Sequence, residues 1–138
     1  MEDAQIRHLE MIQGVVTRLA QNSFAYKGWA ITLVTGILAL AAARDVTRGF
    51  AFVALIPAAA FWGLDGYYLR QERLFRRLYD VLRSMPTEDW QSLRFSMDTH
   101  PHAGEEEGWL GVCMSRTLVG LYLPMIAVIA GSGYLVYR

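Results

Sequence analysis

Asp65 is the residue whose surroundings most need a chemical explanation. It lies in the segment FWGLDGYYL, within a stretch that is otherwise apolar as far as Leu69. A carboxylate this close to hydrocarbon is costly without a partner, and such residues mark structural pairs or ion pathways. Lys27 lies at the same end of the neighbouring apolar run and is the expected partner. We predict an intramembrane polar pair of Lys27 and Asp65, and favour a structural role over an ion pathway.

The densest positive patch follows directly after this segment. It contains Arg70, Arg73, Arg76, Arg77 and Arg83, opposed by Glu72 and Asp80. Basic residues beside a membrane span are typical of its cytoplasmic end and of contact with lipid headgroups. They are equally typical of a site for anions or nucleic acid, which a ring of identical chains would strengthen. Both interpretations depend on the same basic residues, so the sequence does not decide between them.

Two further groups are weaker candidates for chemistry. His100 and His102 flank a proline near Asp98 and Glu105–Glu107, a composition that could bind a metal ion. No helical spacing fixes the geometry of the two histidines, so we favour a solvated acidic loop and assign no metal. Cys113 has no neighbouring histidine to activate it and is expected to be a buried, inert thiol. The motifs GxSxG, GxGxxG, HExxH and the P-loop do not occur. We predict neither an enzyme nor a cofactor.

Three uncharged apolar runs must position these residues. They are 28–43, 49–64 and 117–137, and the last has 21 residues. At the rise of an α-helix this run covers about 30 Å, the hydrocarbon thickness of a bilayer. A soluble helix would carry a polar stripe, which this run lacks. The sequence therefore predicts an all-α membrane protein with about three transmembrane helices and amphipathic cytoplasmic helices.

The organisation follows from the polar segments between the runs. We predict a cytoplasmic amphipathic helix over 1–26, a transmembrane hairpin over 27–69, a cytoplasmic helical region with an acidic loop over 70–116, and a third span over 117–138. With the N-terminus inside, ten Lys and Arg lie on the cytoplasmic side and three outside, which are Arg44, Arg48 and Arg138. No cleavable signal peptide is recognised. This charge distribution predicts a cytoplasmic N-terminus.

Local signals predict where the helices begin and end. Asn22-Ser23 is expected to break or cap the chain before the first span. The second span is expected to continue as one helix to Met85, since no strong breaker precedes Pro86. Thr87 is expected to cap a short helix after that proline.

Small residues recur in the spans at helix-packing spacing. They are Gly36, Gly63, Ala127 and Gly131. Such positions let helix backbones approach closely, within one chain or between chains. Three spans enclose no channel alone, so these residues are assigned to helix packing or to the pore of an oligomer.

Two blocks resemble a family of short bacterial membrane proteins. They are NSFAYKGWAITL at 22–33 and FWGLDGYYLRQERLFRRLYD at 61–80, and the opening HLEMIQ at 8–13 is similar to that family too. The likeness covers roughly the first 85 residues. Members resemble membrane effectors of anti-phage systems, in particular the effector of the Hailong system. The resemblance implies a homo-oligomeric, tetrameric channel in the bacterial inner membrane. It also implies a cytoplasmic opening that binds a single-stranded DNA oligomer made by a partner nucleotidyltransferase.

Three hypotheses of function follow. The first is this ligand-gated channel or membrane-disrupting effector; by charge and position alone, its phosphate contacts are assigned to Arg7, Arg18, Lys27, Arg73, Arg76 and Arg77. The second is a non-conducting adaptor that docks a protein partner through Phe75, Leu78 and Leu82. The third, weaker hypothesis is an ion transporter centred on Asp65, for which the chain is short unless it assembles.

Overall fold

The computed structural model describes residues 2–43 and 49–136. Five α-helices follow one another in this part of the chain: α1 Asp3–Ala43, α2 Leu55–Ser84, α3 Thr87–Trp90, α4 Trp109–Cys113 and α5 Arg116–Val136. Short 3-10 segments at Phe50–Ala54, Gln91–Leu93 and His100–His102 join them, and no strand occurs among the described residues. The all-α prediction is confirmed. Arg44–Arg48, the predicted hairpin turn, and Arg138 lie outside the described residues.

Three helices are long and apolar enough to cross a membrane, as predicted. They are α1, α2 together with the 3-10 segment before it, and α5. Between 17% and 28% of the residues in their most apolar windows are buried inside the protein. A soluble bundle would bury such faces against its own core, because large exposed apolar surfaces are unfavourable in water. The arrangement is therefore that of a membrane protein.

The helices form a three-helix bundle whose order can be read from the contacts between them. Gln5 of α1 contacts Leu82 of α2, and Ser23 contacts Asp65, so α1 and α2 run antiparallel over most of their length. Tyr122 of α5 also contacts Asp65. All three long helices thus meet at Asp65, which separates a mainly apolar end from a hydrophilic end. We use "hydrophilic end" for residues 3–22 and 70–108.

Two predicted helix boundaries are wrong. Helix α1 continues without a break through Asn22-Ser23, because the Ser23 hydroxyl donates to Asp65 on α2 instead of capping its own helix. A tertiary contact overrides the local tendency of serine to end helices. Thr87 is the first residue of α3, with Pro86 at the cap position and no side-chain cap. Helix α2 does continue past its apolar part without interruption, as predicted, and it ends at Ser84.

Small side chains bring the apolar halves of the helices together. Ala54 and Ala58 are fully buried against Val34 of α1 and Ile129 of α5. Because alanine projects only a methyl group, the backbones can approach closely there. The hydrophilic end has a separate core in which α1 and α2 pack around Trp90: its members are Leu9, Ile12, Val16, Leu78, Leu82 and Trp90.

The four predicted packing glycines and alanines occupy different environments. The indole of Trp109 lies 3.3 Å from where a Cβ of Gly63 would be. Gly36 and Gly131 have open space around that position, and Ala127 is exposed. Within this chain only Gly63 of the four is therefore at a close contact. The other three lie on surfaces that face away from the bundle.

Candidate functional site

Two groups of polar and charged residues form the candidate sites. The first, here called the Asp65 cluster, comprises Ser23, Lys27, Asp65 and Tyr122 at the junction of the three long helices. The second lies at the hydrophilic end and pairs α2 with the loop before α4. We call Arg70, Arg73 and Arg77 the arginine face, and Glu105–Glu107 the acidic segment.

The Asp65 carboxylate is completely buried, and its two oxygens accept from three side chains. Lys27 Nζ lies 2.8 Å from Oδ1 and 2.7 Å from Oδ2. Ser23 Oγ donates to Oδ1, and Tyr122 Oη lies 3.3 Å from Oδ2. The structure thus brings together the two residues of the predicted pair. It adds two donors, Ser23 and Tyr122, that sequence reasoning missed.

Lys27 links this buried acid to the surface. Its side chain is 22% exposed, and Nζ also donates to Ser23 Oγ at 2.8 Å. A lysine with a flexible stem can keep its ammonium partly hydrated while pairing with a buried carboxylate. Three donors from α1 and α5 converging on one acceptor of α2 offset the cost of burying that charge. The arrangement holds the three helices in one register.

Aromatic side chains and α4 cover the cluster. The Trp62 ring stacks on Tyr122 at 5.8 Å between centroids, and its Nε1 donates to the Cys113 carbonyl at 2.8 Å. Trp109 Nε1 donates to the Gly63 carbonyl at 3.0 Å. These indoles tie α4 to α2 directly beside the Asp65 cluster. Any movement of α4 therefore changes the packing around Tyr122.

Cys113 lies under this cover and packs against Gly66. A Cβ added at Gly66 would overlap the Cys113 sulfur, so the contact requires glycine. Burial, and then the negative charge of Asp65, raise the pKa of the Cys113 thiol. A raised pKa leaves little of the nucleophilic thiolate at neutral pH. The predicted burial of Cys113 is confirmed.

The arginine face is paired with the acidic segment. Arg77 donates to Glu105 Oε2 from Nε at 3.0 Å and from Nη2 at 2.8 Å. Arg73 Nη1 lies 3.4 Å from Glu107 Oε2, and Arg70 Nε donates to the Glu107 carbonyl at 3.1 Å. The spacing of three and four residues places these arginines on one side of α2. The loop predicted to be solvated and acidic thus contacts the basic patch.

Arg76 lies beside this face and has a different partner. It pairs with Glu72 one turn earlier, with Nε and Nη2 each 2.8 Å from Oε1. An open depression of about 340 Å³ is lined by Arg73, Arg76, Arg77, Asp80 and Glu106. It is large enough for a phosphate group, but carboxylates share its lining.

The six basic residues assigned to phosphate contact fall into three places. Arg73, Arg76 and Arg77 lie together on α2, whereas Lys27 belongs to the Asp65 cluster. Arg7 and Arg18 are exposed on α1, and their spacing of eleven residues puts them on one face. That face lies away from the buried stripe through Ile12 that contacts α2. One chain therefore does not bring Arg7 and Arg18 to the arginines of α2.

Sequence reasoning also missed a buried polar network around His8. His8 is fully buried; Trp90 Nε1 donates to its Nδ1 at 3.1 Å, and its Nε2 lies 2.9 Å from the Ser96 carbonyl. An indole only donates and a carbonyl only accepts, so the imidazole is neutral with its proton on Nε2. Gln5 donates to the Leu82 carbonyl at the end of α2. The sequence does contain a signal for this network, because Gln5 and His8 lie on the same face of α1 as the apolar residue Ile12.

The arrangement favours charge recognition and helix positioning. No group of three or more His, Cys, Asp and Glu side chains suited to a metal occurs among residues 2–43 and 49–136. His100 and His102 lie in the 3-10 segment, where the His100 amide donates to Asp98. Exchangeable ion pairs at the hydrophilic end and a buried charge at the helix junction are the two features with functional potential.

Comparisons with known proteins give no further guidance. No protein-family model matches the chain, and searches of curated proteins and of solved structures give no match either.

Proposed function

We propose that this chain forms a homo-oligomeric, ligand-gated channel or membrane-disrupting effector that acts in anti-phage defence. Its expected form is a tetramer in the bacterial inner membrane, with the N-terminus and hydrophilic end in the cytoplasm. The ligand is an anionic nucleotide or a single-stranded DNA oligomer, made by a partner nucleotidyltransferase. The distribution of Lys and Arg supports the orientation, and the resemblance of the blocks at 22–33 and 61–80 supports the defence role.

The observation that carries this proposal is the continuity of α2. One uninterrupted helix, Leu55–Ser84, bears Asp65 in its apolar part and the arginine face about one and a half to three turns further on. An α-helix transmits a displacement along its axis because its backbone hydrogen bonds resist bending. An anion bound at the arginines therefore has a direct mechanical connection to the junction of the three spans.

The packing of the spans supports an oligomeric pore. Ala30, Ala54 and Ile129 are fully buried between the helices, so the described helices pack directly on one another. A conducting path then has to form between chains. Gly36, Ala127 and Gly131 lie on outward surfaces that an oligomer would bring together, as small residues do at membrane helix interfaces.

Expression in cells without the cognate ligand tests the proposal. We expect the membrane potential, followed with a potential-sensitive dye, to collapse when the protein is inserted. A doubly charge-reversed variant, R76E/R77E, is expected to lose control by the ligand, whereas R83E on the same helix retains it. An unchanged membrane potential with demonstrably inserted protein would contradict the proposal.

The adaptor hypothesis has weaker support. Leu78 and Leu82, two of its three docking residues, are buried in the core of the hydrophilic end, and Phe75 packs against that core. A partner would have to open the contact between α1 and α2 to reach them. Partner binding that persists in R76E/R77E, without any depolarisation by the parent protein, would favour the adaptor.

A further inference from the structure

The acidic segment occupies the surface that an anionic ligand would need. Glu105 accepts two hydrogen bonds from Arg77. The Glu107 carboxylate pairs with Arg73, and the Glu107 backbone carbonyl accepts a hydrogen bond from Arg70. Glu106 lines the depression beside them. Oxygen atoms at these positions resemble the oxygens of a phosphate chain in charge and in hydrogen-bonding capacity.

The charges around the arginines leave no positive excess in this conformation. Four arginines lie here: Arg70, Arg73, Arg76 and Arg77. Five carboxylates surround them: Glu72, Asp80, Glu105, Glu106 and Glu107. Only Glu72 and Asp80 belong to α2 itself. Removal of the acidic segment would leave four positive charges against two negative ones, which is the field that an anion requires.

The ion pairs of the acidic segment are exposed, so another anion can replace their carboxylates. The side chains of Arg77 and Glu105 are each 51% exposed, and that of Glu107 is 64% exposed. Ion pairs in such positions are weak because water and salt screen them. The Asp65 cluster is the opposite case, since its carboxylate is fully buried. An external polyanion can therefore replace Glu105 and Glu107 without breaking the buried ion pair of Lys27 and Asp65.

We infer that Glu105–Glu107 is an internal competitor that mimics the anionic ligand on the arginine face of α2. The ligand is a chain of phosphates, such as an oligonucleotide backbone, and it binds Arg70, Arg73 and Arg77 by displacing the acidic segment. This inference rests on the proposed anion site. It adds that the free protein keeps its own arginines neutralised, which lowers its affinity and excludes small anions of low charge.

A binding measurement with matched variants tests this competition. The full chain in nanodiscs is titrated with a fluorescein-labelled single-stranded oligothymidylate at constant salt. E105Q/E107Q removes the two competing carboxylates, whereas E88Q/D89N removes two exposed carboxylates of α3 at the same hydrophilic end. We expect the affinity of E105Q/E107Q to rise about tenfold, since two exposed pairs are lost. E88Q/D89N is expected to change it less than twofold, and R73Q/R77Q to abolish it.

The outcomes separate this inference from the proposed function. Equal affinity gains in E105Q/E107Q and E88Q/D89N would show that net charge alone matters and would overturn the competitor. Unchanged binding in E105Q/E107Q, with loss in R73Q/R77Q, would overturn the competitor and retain the anion site. Absence of binding in the parent and in E105Q/E107Q would overturn both. Binding gained only in E105Q/E107Q would support both.

Discussion

Replacing Asp65 by Asn tests whether the buried cluster holds the three spans together. The amide has nearly the shape of the carboxylate but carries no charge, so Lys27 loses its counter-ion. Removal of one partner from a buried ion pair costs about 3–5 kcal/mol. Lys27 can turn toward water because its side chain is 22% exposed, so we expect the lower end, about 3 kcal/mol. Reversible unfolding in mixed SDS micelles, followed by tryptophan fluorescence, measures this loss.

The reverse change is expected to cost more. In Lys27→Met the Asp65 carboxylate keeps only Ser23 and Tyr122 as donors, and it cannot reach water because it is fully buried. We expect a loss near 5 kcal/mol for this variant. The double variant K27M/D65N removes both charges and should lose less than the sum of the two, with a coupling of about 2 kcal/mol.

A surface pair on the same helix provides the control. Glu72→Gln removes the partner of Arg76, whose side chain is 62% exposed, and should cost at most about 1 kcal/mol. Additive effects of K27M and D65N, or single variants as stable as the parent, would refute the reasoning. The cluster would then be a contact without a role in positioning the spans.

Three further predictions concern buried contacts of α4 and α1. Gly66→Ala forces a methyl group against the Cys113 sulfur and should destabilise the protein by about 1–3 kcal/mol in the same unfolding assay. His8→Leu leaves the Trp90 indole and the Ser96 carbonyl without a partner and should cost about 2 kcal/mol. Alkylation of Cys113 by N-ethylmaleimide should be slow at neutral pH, because the pKa of this thiol is raised. The alkylation rate should still increase with pH in the range where the rate for a free cysteine has become constant.

Matched controls accompany these three measurements. Gly14→Ala on α1 meets open space and should stabilise the protein by up to about 1 kcal/mol, in contrast to Gly66→Ala. C113A/M114C moves the thiol to a position that is 67% exposed and should react much faster than the parent. Equal alkylation rates would contradict the burial of Cys113. A His8→Leu variant as stable as the parent would show that Trp90 and Ser96 find other partners.

The sequence alone determined the class of protein and the location of its unusual charge. Apolar runs such as 117–137 can be recognised in the sequence without knowing what they pack against. The reason is that insertion of a helix into the bilayer depends on its own consecutive side chains. Asp65 is visible for the same reason, as one acid inside an apolar run, and Lys27 follows from its position at the same end of the neighbouring run. The Arg-rich segment after Asp65 is equally local.

Only the tertiary structure decided what these residues contact. The local sequence around Ser23 predicts a helix break. Helix α1 nevertheless continues, because the Ser23 hydroxyl donates a hydrogen bond to Asp65 of α2. Tyr122 reaches the same carboxylate only because α5 has one particular rotation and depth. The pairing of Arg77 with Glu105 depends on the path of the loop before α4. Contacts of this kind join residues far apart in sequence, and periodicity fixes the face of a helix without fixing its neighbour.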